Sequence, residues 1–257
     1  MARPPVFSGD ESLHWEYIDT NASVDILVNQ PVGELAVLLL HDDGYVLLAG
    51  PLTLTVVPSF NNEVDLFAAL ATWDVNATVA AATYGAVSTW DVTAVTVLSS
   101  LCEGLASFDE SLSGWSTSQV TAMDRMFKDA SAFNNGGQPL TFTTSNVVGV
   151  SGMFRVAARF NQPVSFDTGS VTKLRSMFQG AVSFDQPLDF DVASVVDMVD
   201  MFHGAGGLSD CNKELIHDSF SSSTAWAAAG YNHWSMFSCV LDCADACSGS
   251  GSGSCWG

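Results

Sequence analysis

The stretch MFRVAARFNQPVSF, residues 153–166, returns as MFQGAVSFDQPLDF, residues 177–190. A phrase that recurs at a fixed interval indicates a repeated structural unit, whereas a catalytic motif normally occurs once. Further copies of the same unit are therefore sought by aligning the rest of the chain to these two.

An aromatic residue anchors each copy of the repeat. The anchors are Trp90, Trp115, Phe142, Phe166 and Phe190, at intervals of 25, 27, 24 and 24 residues. Counted forward from each anchor, positions 5, 8, 11, 12 and 18 are apolar in almost every copy, and they hold six of the eight methionines. A row of methionines could indicate a metal site or a groove that binds many different ligands. Here each methionine has an equivalent in the neighbouring copy of the repeat, which favours core packing.

Two spacings within each copy predict its local structure. From position 5 to position 18 the apolar residues are three to four apart, which is helical, and Ser194 with Asp197 resembles a capping box. In LDFDV, residues 188–192, the period is two, which is typical of a half-buried strand. The sequence therefore predicts a leucine-rich-repeat-like α/β solenoid of about five coils of 24–27 residues, each with a short parallel strand and one or two helical turns.

The copies MFRVAARFNQPV, MFQGAVSFDQPL and MFKDASAFNNGGQPL resemble the BspA-like leucine-rich repeat of bacterial and protist surface proteins, over residues 90–213. The chain departs from this repeat at Leu101 and Cys102, which replace Met-Phe, and at the inserted Gly136 and Gly137. The resemblance implies an extracellular or surface-exposed solenoid used in recognition or adhesion, with a helical cap at each end. It implies no catalytic residue.

Five segments are expected from these features. They are a β-rich segment of unknown role at 1–60, a helical N-terminal cap at 61–89, the repeats at 90–213, a C-terminal cap at 214–238 and a tail rich in Cys, Gly and Ser at 239–257. The first segment contains a predicted β-hairpin with its turn at residues 42–44. The apolar residues on both sides of this turn cannot form a membrane helix, because the polar turn interrupts them and such a helix needs about 20 apolar residues in a row.

The charge balance restricts the partners. The chain carries 28 acidic and 8 basic residues, a formal net charge of −20. Nucleic acid and anionic membranes are excluded as partners, because binding phosphate requires clustered Lys or Arg. Cations, basic proteins and neutral glycans remain. The alternative is that the charge only keeps an apolar, stackable protein soluble.

The cysteines indicate an oxidising compartment. An even number with a C-terminal cluster is typical of disulfides, and the sequons at Asn21 and Asn76 agree with export. The N-terminus lacks an apolar leader, so either a leader lies outside this chain or export is a wrong inference. The disulfide candidates are Cys102, Cys211, Cys239, Cys243, Cys247 and Cys255.

A metal is the alternative for these thiols, because Cys239, Cys243 and Cys247 are spaced by four. Zinc sites usually pair such a motif with a second one or with His, so disulfides are favoured and neither a metal nor a cofactor is predicted. Cys102 replaces a buried Phe of the repeat, and it could instead be a plain small hydrophobe.

The exposed side of the predicted strands supplies the candidate binding face. Its residues are Thr141, Thr143, Ser165, Asp167, Asp189 and Asp191. A second column, Asn134, Asn161 and Asp185, could line a ligand face, but bonds to the backbone of neighbouring turns are the favoured explanation. The sequence thus predicts a non-enzymatic recognition or adhesion module that binds a protein or glycan, a cationic or hydroxyl-rich partner matching best. A structural coat or stalk component is the alternative, and an enzyme is the least favoured.

Overall fold

The computed structural model describes residues 38–41, 44–47 and 58–239, which fall into two separate units. In the first unit, β1 (Leu38–His41) pairs antiparallel with β2 (Gly44–Leu47), so the expected hairpin strands are present. The turn residues Asp42 and Asp43, and the remainder of the chain before residue 58, lie outside the described residues.

The second unit begins with two helices in the segment expected to be the N-terminal cap. Asn62 starts α1 (Glu63–Val75) by accepting hydrogen bonds from the N–H groups of its first turn. Asn76 ends α1 and starts α2 (Ala77–Tyr84), which itself ends at Gly85 with a φ of +65°. Leu66, Ala69, Leu70 and Ala80 of these helices are buried in the described unit.

The side chains predicted for the core are buried. All six methionines of the repeat are fully buried, and the Phe residues of position 12 form a continuous column. Phe178 stacks on Phe154 and Phe202 with ring centroids 5.4 and 5.7 Å apart, and on Phe184 at 4.1 Å. The assignment of the methionine stripe to core packing is therefore confirmed.

The prediction of a leucine-rich-repeat-like α/β solenoid, with a parallel strand and helical turns in each coil, is wrong. Between residues 90 and 208, all of which the structure describes, there is no α-helix and no strand longer than a single bridge. The coils are instead chains of turns, with one 3-10 turn at Asn135–Gly137. Isolated parallel bridges join Ala122 to Gly149, Gly149 to Lys173 and Lys173 to Asp197.

Left-handed backbone conformations explain why the helical spacing does not give helices. In every coil the residues at positions 10 and 14 after the anchor have a positive φ, and an α-helix cannot pass through either. Position 10 holds Ser100, Arg125, Gly152, Ser176 and Asp200, with φ between 54° and 63°. Position 14 holds Gly104, Asp129, Val156, Gly180 and Gly204, with φ between 59° and 78°.

The backbone hydrogen bonds follow from these turns. The N–H groups of Arg125 and Phe127 donate to the carbonyls of Ser151 and Met153 in the next coil, at 2.9 and 2.8 Å. The N–H group between them, that of Met126, closes a turn within its own coil onto Met123 at 3.3 Å. Alternate N–H groups thus leave the coil, and none of these continues an i to i−4 helical pattern.

Side-chain hydroxyls replace strand pairing beside the anchors. The buried Oγ1 atoms of Thr117, Thr144 and Thr168 donate to carbonyls of the next coil at 2.9–3.1 Å. Pro at positions 139, 163 and 187 has no N–H to offer a ladder. The period-two alternation of buried and exposed residues is therefore kept without a strand.

A C-terminal cap closes the last coil with α3 (Asp210–Phe220), α4 (Thr224–Ala228) and a 3-10 helix (Tyr231–Met236). The Tyr231 hydroxyl accepts the N–H of Phe202 at 2.9 Å, at the place where a further coil would supply a carbonyl. Trp226 and Trp234 pack against the exposed end of the Phe column.

A disulfide joins Cys211 on α3 to Cys239 at the end of the described residues. Such a bond indicates an oxidising environment. Cys102 is free and buried, and burial, with a smaller effect of the Asp74 carboxylate, raises the pKa of its thiol. It therefore packs as the small hydrophobe that was the alternative to a disulfide. Cys243, Cys247 and Cys255 lie outside the described residues.

Across the parts of the chain that the structure describes, no helix is both long enough and apolar enough to span a bilayer.

Replacing Phe178 with Ala should destabilise the protein by about 3–5 kcal/mol, because the change removes a fully buried ring from the middle of the column. Denaturant unfolding measures the loss. The matched control is Val182→Ala, at an exposed position of the same coil, where a change within about 0.5 kcal/mol is expected. A loss below about 1 kcal/mol for Phe178→Ala would contradict the stacked column.

Replacing Cys211 and Cys239 with Ser should lower the free energy of unfolding by about 3–4 kcal/mol, because the disulfide closes a loop between residues 28 apart. Urea unfolding of the unreduced protein and of the double variant measures this difference. In the folded unreduced protein, alkylation should leave Cys102, Cys211 and Cys239 unmodified. Modification of Cys211 before reduction would show that the disulfide is absent.

Candidate functional site

The residues that flank the last three anchors all lie on the surface. Thr141 and Thr143, Ser165 and Asp167, and Asp189 and Asp191 are exposed, each pair on either side of a buried Phe. The buried Thr144 and Thr168, through their bonds to the carbonyls of Asp167 and Asp191, fix the position of each exposed pair above the next.

The carboxylates of neighbouring coils converge on Gly169. The Cβ that a side chain would have there lies 3.5 Å from Oδ1 of Asp167 and 3.8 Å from Oδ2 of Asp191. Each aspartate also accepts a local backbone bond, from the N–H of Gly169 and of Ala193 at 3.2 and 2.9 Å. These bonds hold both groups in place, so two like charges stand close together, and a cation would relieve their repulsion.

Two open grooves run beside these carboxylates, between the last coils and the C-terminal cap. One, of about 660 Å³, is lined by Asp189, Asp191 and the hydroxyls of 219 and 222–224. The other, of about 710 Å³, is lined by Asp167, Asp189 and Leu215 among others. The acidic face is defined here as Ser165, Asp167, Asp189 and Asp191. Thr141 and Thr143 continue it by one coil but line neither groove.

The cap contributes residues that the repeat pattern could not reveal. Ser219, on α3, donates to Oδ1 of Asp189 at 3.3 Å and lines both grooves. Ser222, Ser223 and Thr224 line the first groove from the start of α4. The one sequence signal for them is the hydroxyl-rich run SFSSST at 219–224, which follows the repeat and shares none of its spacing.

The column Asn134, Asn161 and Asp185 bonds the backbone between coils, as the favoured explanation predicted. Oδ1 of Asn134 accepts the N–H of Asn161 at 2.9 Å, and Oδ1 of Asn161 accepts the N–H of Asp185 at 2.8 Å. The column starts at Asp109, which accepts the N–H of Asn134 at 2.6 Å. It is therefore a structural feature and contributes nothing to the binding face.

Asp185 ends this column at the C-terminal cap. Its Oδ1 accepts the N–H and Oγ of Ser209, both at 2.8 Å, and Nδ2 of Asn212 at 2.7 Å. Burial alone would raise its pKa, but the hydrogen bonds from Asn212 and Ser209 outweigh burial, so the pKa of Asp185 lies below its ordinary value.

One glycosylation candidate falls within the described residues. Asn76 is exposed at the junction of α1 and α2, while Asn21 is outside the described residues. Residues 38–41, 44–47 and 58–239 contain no cluster of three or more His, Cys, Asp or Glu side chains that could hold a metal ion.

A model of a protein family described as "Mycoplasma protein of unknown function, DUF285" matches the chain twice, at residues 72–165 and 135–230. Together the matches span residues 72–230, which is more than half of the chain. No curated protein and no solved structure matches the chain. The match supports the resemblance to surface-protein repeats at the level of the family, and it does not define the repeat motif itself.

Replacing Asp185 with Asn should make stability less dependent on pH in the acid range. The folded-state pKa lies below the unfolded value of about 3.9, so the carboxylate stabilises the fold above that value, and the contribution is lost as pH falls through the folded pKa. The wild type should exceed the variant by about 1 kcal/mol at neutral pH. Urea unfolding at a series of pH values measures this difference, which should shrink toward zero in acid. A difference that is constant with pH would contradict the assignment.

Proposed function

Because the chain belongs to the DUF285 family, whose function is unknown, we propose its function from its own surface: it is a non-enzymatic recognition module that binds a cationic polypeptide through the acidic face. The observation that carries the proposal is the convergence of Asp167 and Asp191 on Gly169, beside two grooves. A glycan is the second type of ligand, because hydroxyls of the cap line the same grooves.

The site suits a cation because the carboxylates are exposed and close to one another. Exposed charge pairs contribute little one at a time, but several carboxylates arranged along a groove attract a basic ligand together and increase its rate of association. The net charge of −20 acts in the same direction. Because backbone bonds hold Asp167 and Asp191 in place, the acidic face also defines where a basic ligand binds.

The proposal assigns no catalytic role. A serine nucleophile is usually activated by a histidine that a third group orients, whereas the hydroxyl of Ser219 donates to the exposed carboxylate of Asp189. The nearest histidine on the same helix, His217, accepts the Nε1–H of Trp226 through Nδ1 at 3.1 Å. These hydroxyls therefore serve the proposal as hydrogen-bonding groups for a ligand.

An extracellular or cell-surface location forms part of the proposal. The disulfide between Cys211 and Cys239 supports it, because such bonds persist where the surroundings are oxidising. A recognition role is favoured over a structural coat or stalk by the grooves, since a purely structural stack has no need of concave acidic surfaces. Saturable binding of a soluble ligand separates the two roles.

Replacing both Asp167 and Asp191 with Asn should weaken binding of a lysine-rich peptide by about tenfold and reduce its salt dependence. Asn retains the Oδ1 atoms that accept from Gly169 and Ala193, so stability should stay within about 1 kcal/mol of the wild type. Isothermal titration at low and physiological salt measures the binding.

The matched control is Glu63→Gln with Asp65→Asn on α1, which removes the same charge from exposed positions. It should change binding less than twofold. Equal weakening by both variants would show that the peptide responds only to net charge, and unchanged binding in the Asp167 and Asp191 variant would place the ligand elsewhere.

A further inference from the structure

We propose that the cationic partner of the acidic face is a second copy of this chain, which binds through a basic and apolar patch on the third and fourth coils. This patch is defined as Arg155, Val156, Arg159, Lys173, Arg175 and Val182. The proposal rests on the proposed role of the acidic face, and it can fail while that role stands.

The patch concentrates the positive charge of an acidic chain. Residues 130–184 contain four basic residues and one acidic residue, in a protein with a net charge of −20. The one acidic residue, Asp167, belongs to the acidic face. The four basic residues, Arg155, Arg159, Lys173 and Arg175, are exposed in the turn segments of two consecutive coils.

The two coils hold these residues close together. The bridge between Gly149 and Lys173, and the hydrogen bond from the N–H of Gly152 to the carbonyl of Arg175 at 2.9 Å, stack the third coil on the fourth. Neighbouring backbones are therefore about 5 Å apart, as between paired strands. The exposed residues of the patch therefore lie on two adjacent coils.

The basic groups of the patch are mostly free of internal partners. In the second coil, Arg125 and Lys128 both form ion pairs with Glu103. Arg175 lies 3.6 Å from Asp197. Within residues 58–239, Arg155, Arg159 and Lys173 form no ion pair, so their charge is available to a partner.

Val156 is an apolar residue of the patch, and its backbone conformation is unfavourable for a valine. It lies at position 14, where three of the other four coils have glycine, and its φ is +59°. A β-branched residue is strained in this conformation, and Val156 is 41% exposed, so it is only partly buried in its own fold. Val182, in the next coil, is 53% exposed.

The acidic face supplies the matching chemistry. Asp167, Asp189 and Asp191 are opposite in charge to the patch, and Leu215, which is 46% exposed, lines the groove beside Asp167 and Asp189. Charges can therefore pair while Leu215 meets the valines. Because the two surfaces differ, the contact is heterologous and leaves one free surface of each kind at the ends of any assembly.

The experiment uses sedimentation velocity of the whole chain over a range of concentrations. At about 0.15 M salt the Debye length is about 8 Å, so the repulsion between net charges is screened while groups in contact still attract. We expect concentration-dependent association at this salt and its loss at about 1 M. A monomer at every concentration overturns the proposal.

Two variants that should each fail to associate alone provide the decisive mixture. The patch variant is Arg155→Gln, Arg159→Gln and Lys173→Gln, and the face variant is Asp167→Asn with Asp191→Asn. Each should associate at least about tenfold more weakly than the wild type. Mixed, they should form a one-to-one complex that cannot extend, because each retains the surface that the other lacks. A mixture that stays monomeric overturns the proposal.

Further controls separate charge, strain and the proposed function. Thr78→Glu, Ala81→Glu and Ala82→Glu on α2 change the net charge by the same amount as the patch variant, and they should alter association less than twofold. Val156→Gly should raise the melting temperature and yet weaken association; unchanged association would count against the patch.

The patch variant should still bind the lysine-rich peptide. Peptide binding by a wild type that never associates would overturn this inference alone, whereas loss of both would overturn the proposed function as well.

Discussion

The backbone hydrogen bonds between coils are the constraint on which the rest of the second unit depends. Over positions 8 to 14, N–H groups of one coil donate to carbonyls of the next, as from Phe127 to Met153 and from Phe154 to Met177, both at 2.8 Å. The N–H groups of Thr121 and Val148, at position 6, instead donate to carbonyls of the preceding coil at 2.9 Å. The left-handed residues at positions 10 and 14 let the chain turn within its own coil while alternate N–H groups still point to the next coil. The same spacing brings equivalent side chains into register, so the Phe column follows from the hydrogen bonds as much as from hydrophobic burial.

The two ends of such a stack differ, and each end needs a different partner for its unpaired backbone N–H groups. The last coil has N–H groups with no further coil to accept them, and the Tyr231 hydroxyl accepts that of Phe202. At the other end, Oδ1 of Asp74 on α1 accepts the N–H of Ser107 at 2.6 Å. Buried backbone groups are costly when unpaired, so the caps are part of the fold in the same sense as the coils. This explains why the grooves occur at the junction with the C-terminal cap, where a regular surface meets an irregular one.

The sequence could predict the columns and the exposed face, because both depend on which side chains are apolar. Phe166 and Phe190 are inside, Asp167 and Asp191 are outside, and the recurring intervals are sufficient to place them. The sequence could not predict the backbone, because a spacing of three to four is shared by helices and by successive three-residue turns. Arg125, Val156 and Ser176 are not residue types that favour a left-handed conformation, so the structure shows it where the residue type does not. Ser219 was missed for another reason: its place beside Asp189 depends on how α3 returns over the last coils.

Because the hydrogen bonds and the Phe column hold the fold together, the exposed positions can vary without affecting either. The position after the anchor is Thr143, Asp167 and Asp191 in three successive coils, while the anchors remain Phe and stay buried. The same freedom allows Arg155 and Lys173 to occupy the turn segments of the third and fourth coils, of which the fourth also carries Asp167. Charge of both signs can then be sorted onto different edges of the same coils at little cost to stability, since exposed substitutions usually change it by less than about 0.5 kcal/mol. Val156 is the exception that supports this reasoning, because there the surface residue strains the backbone on which the stack depends, and stability alone would favour glycine.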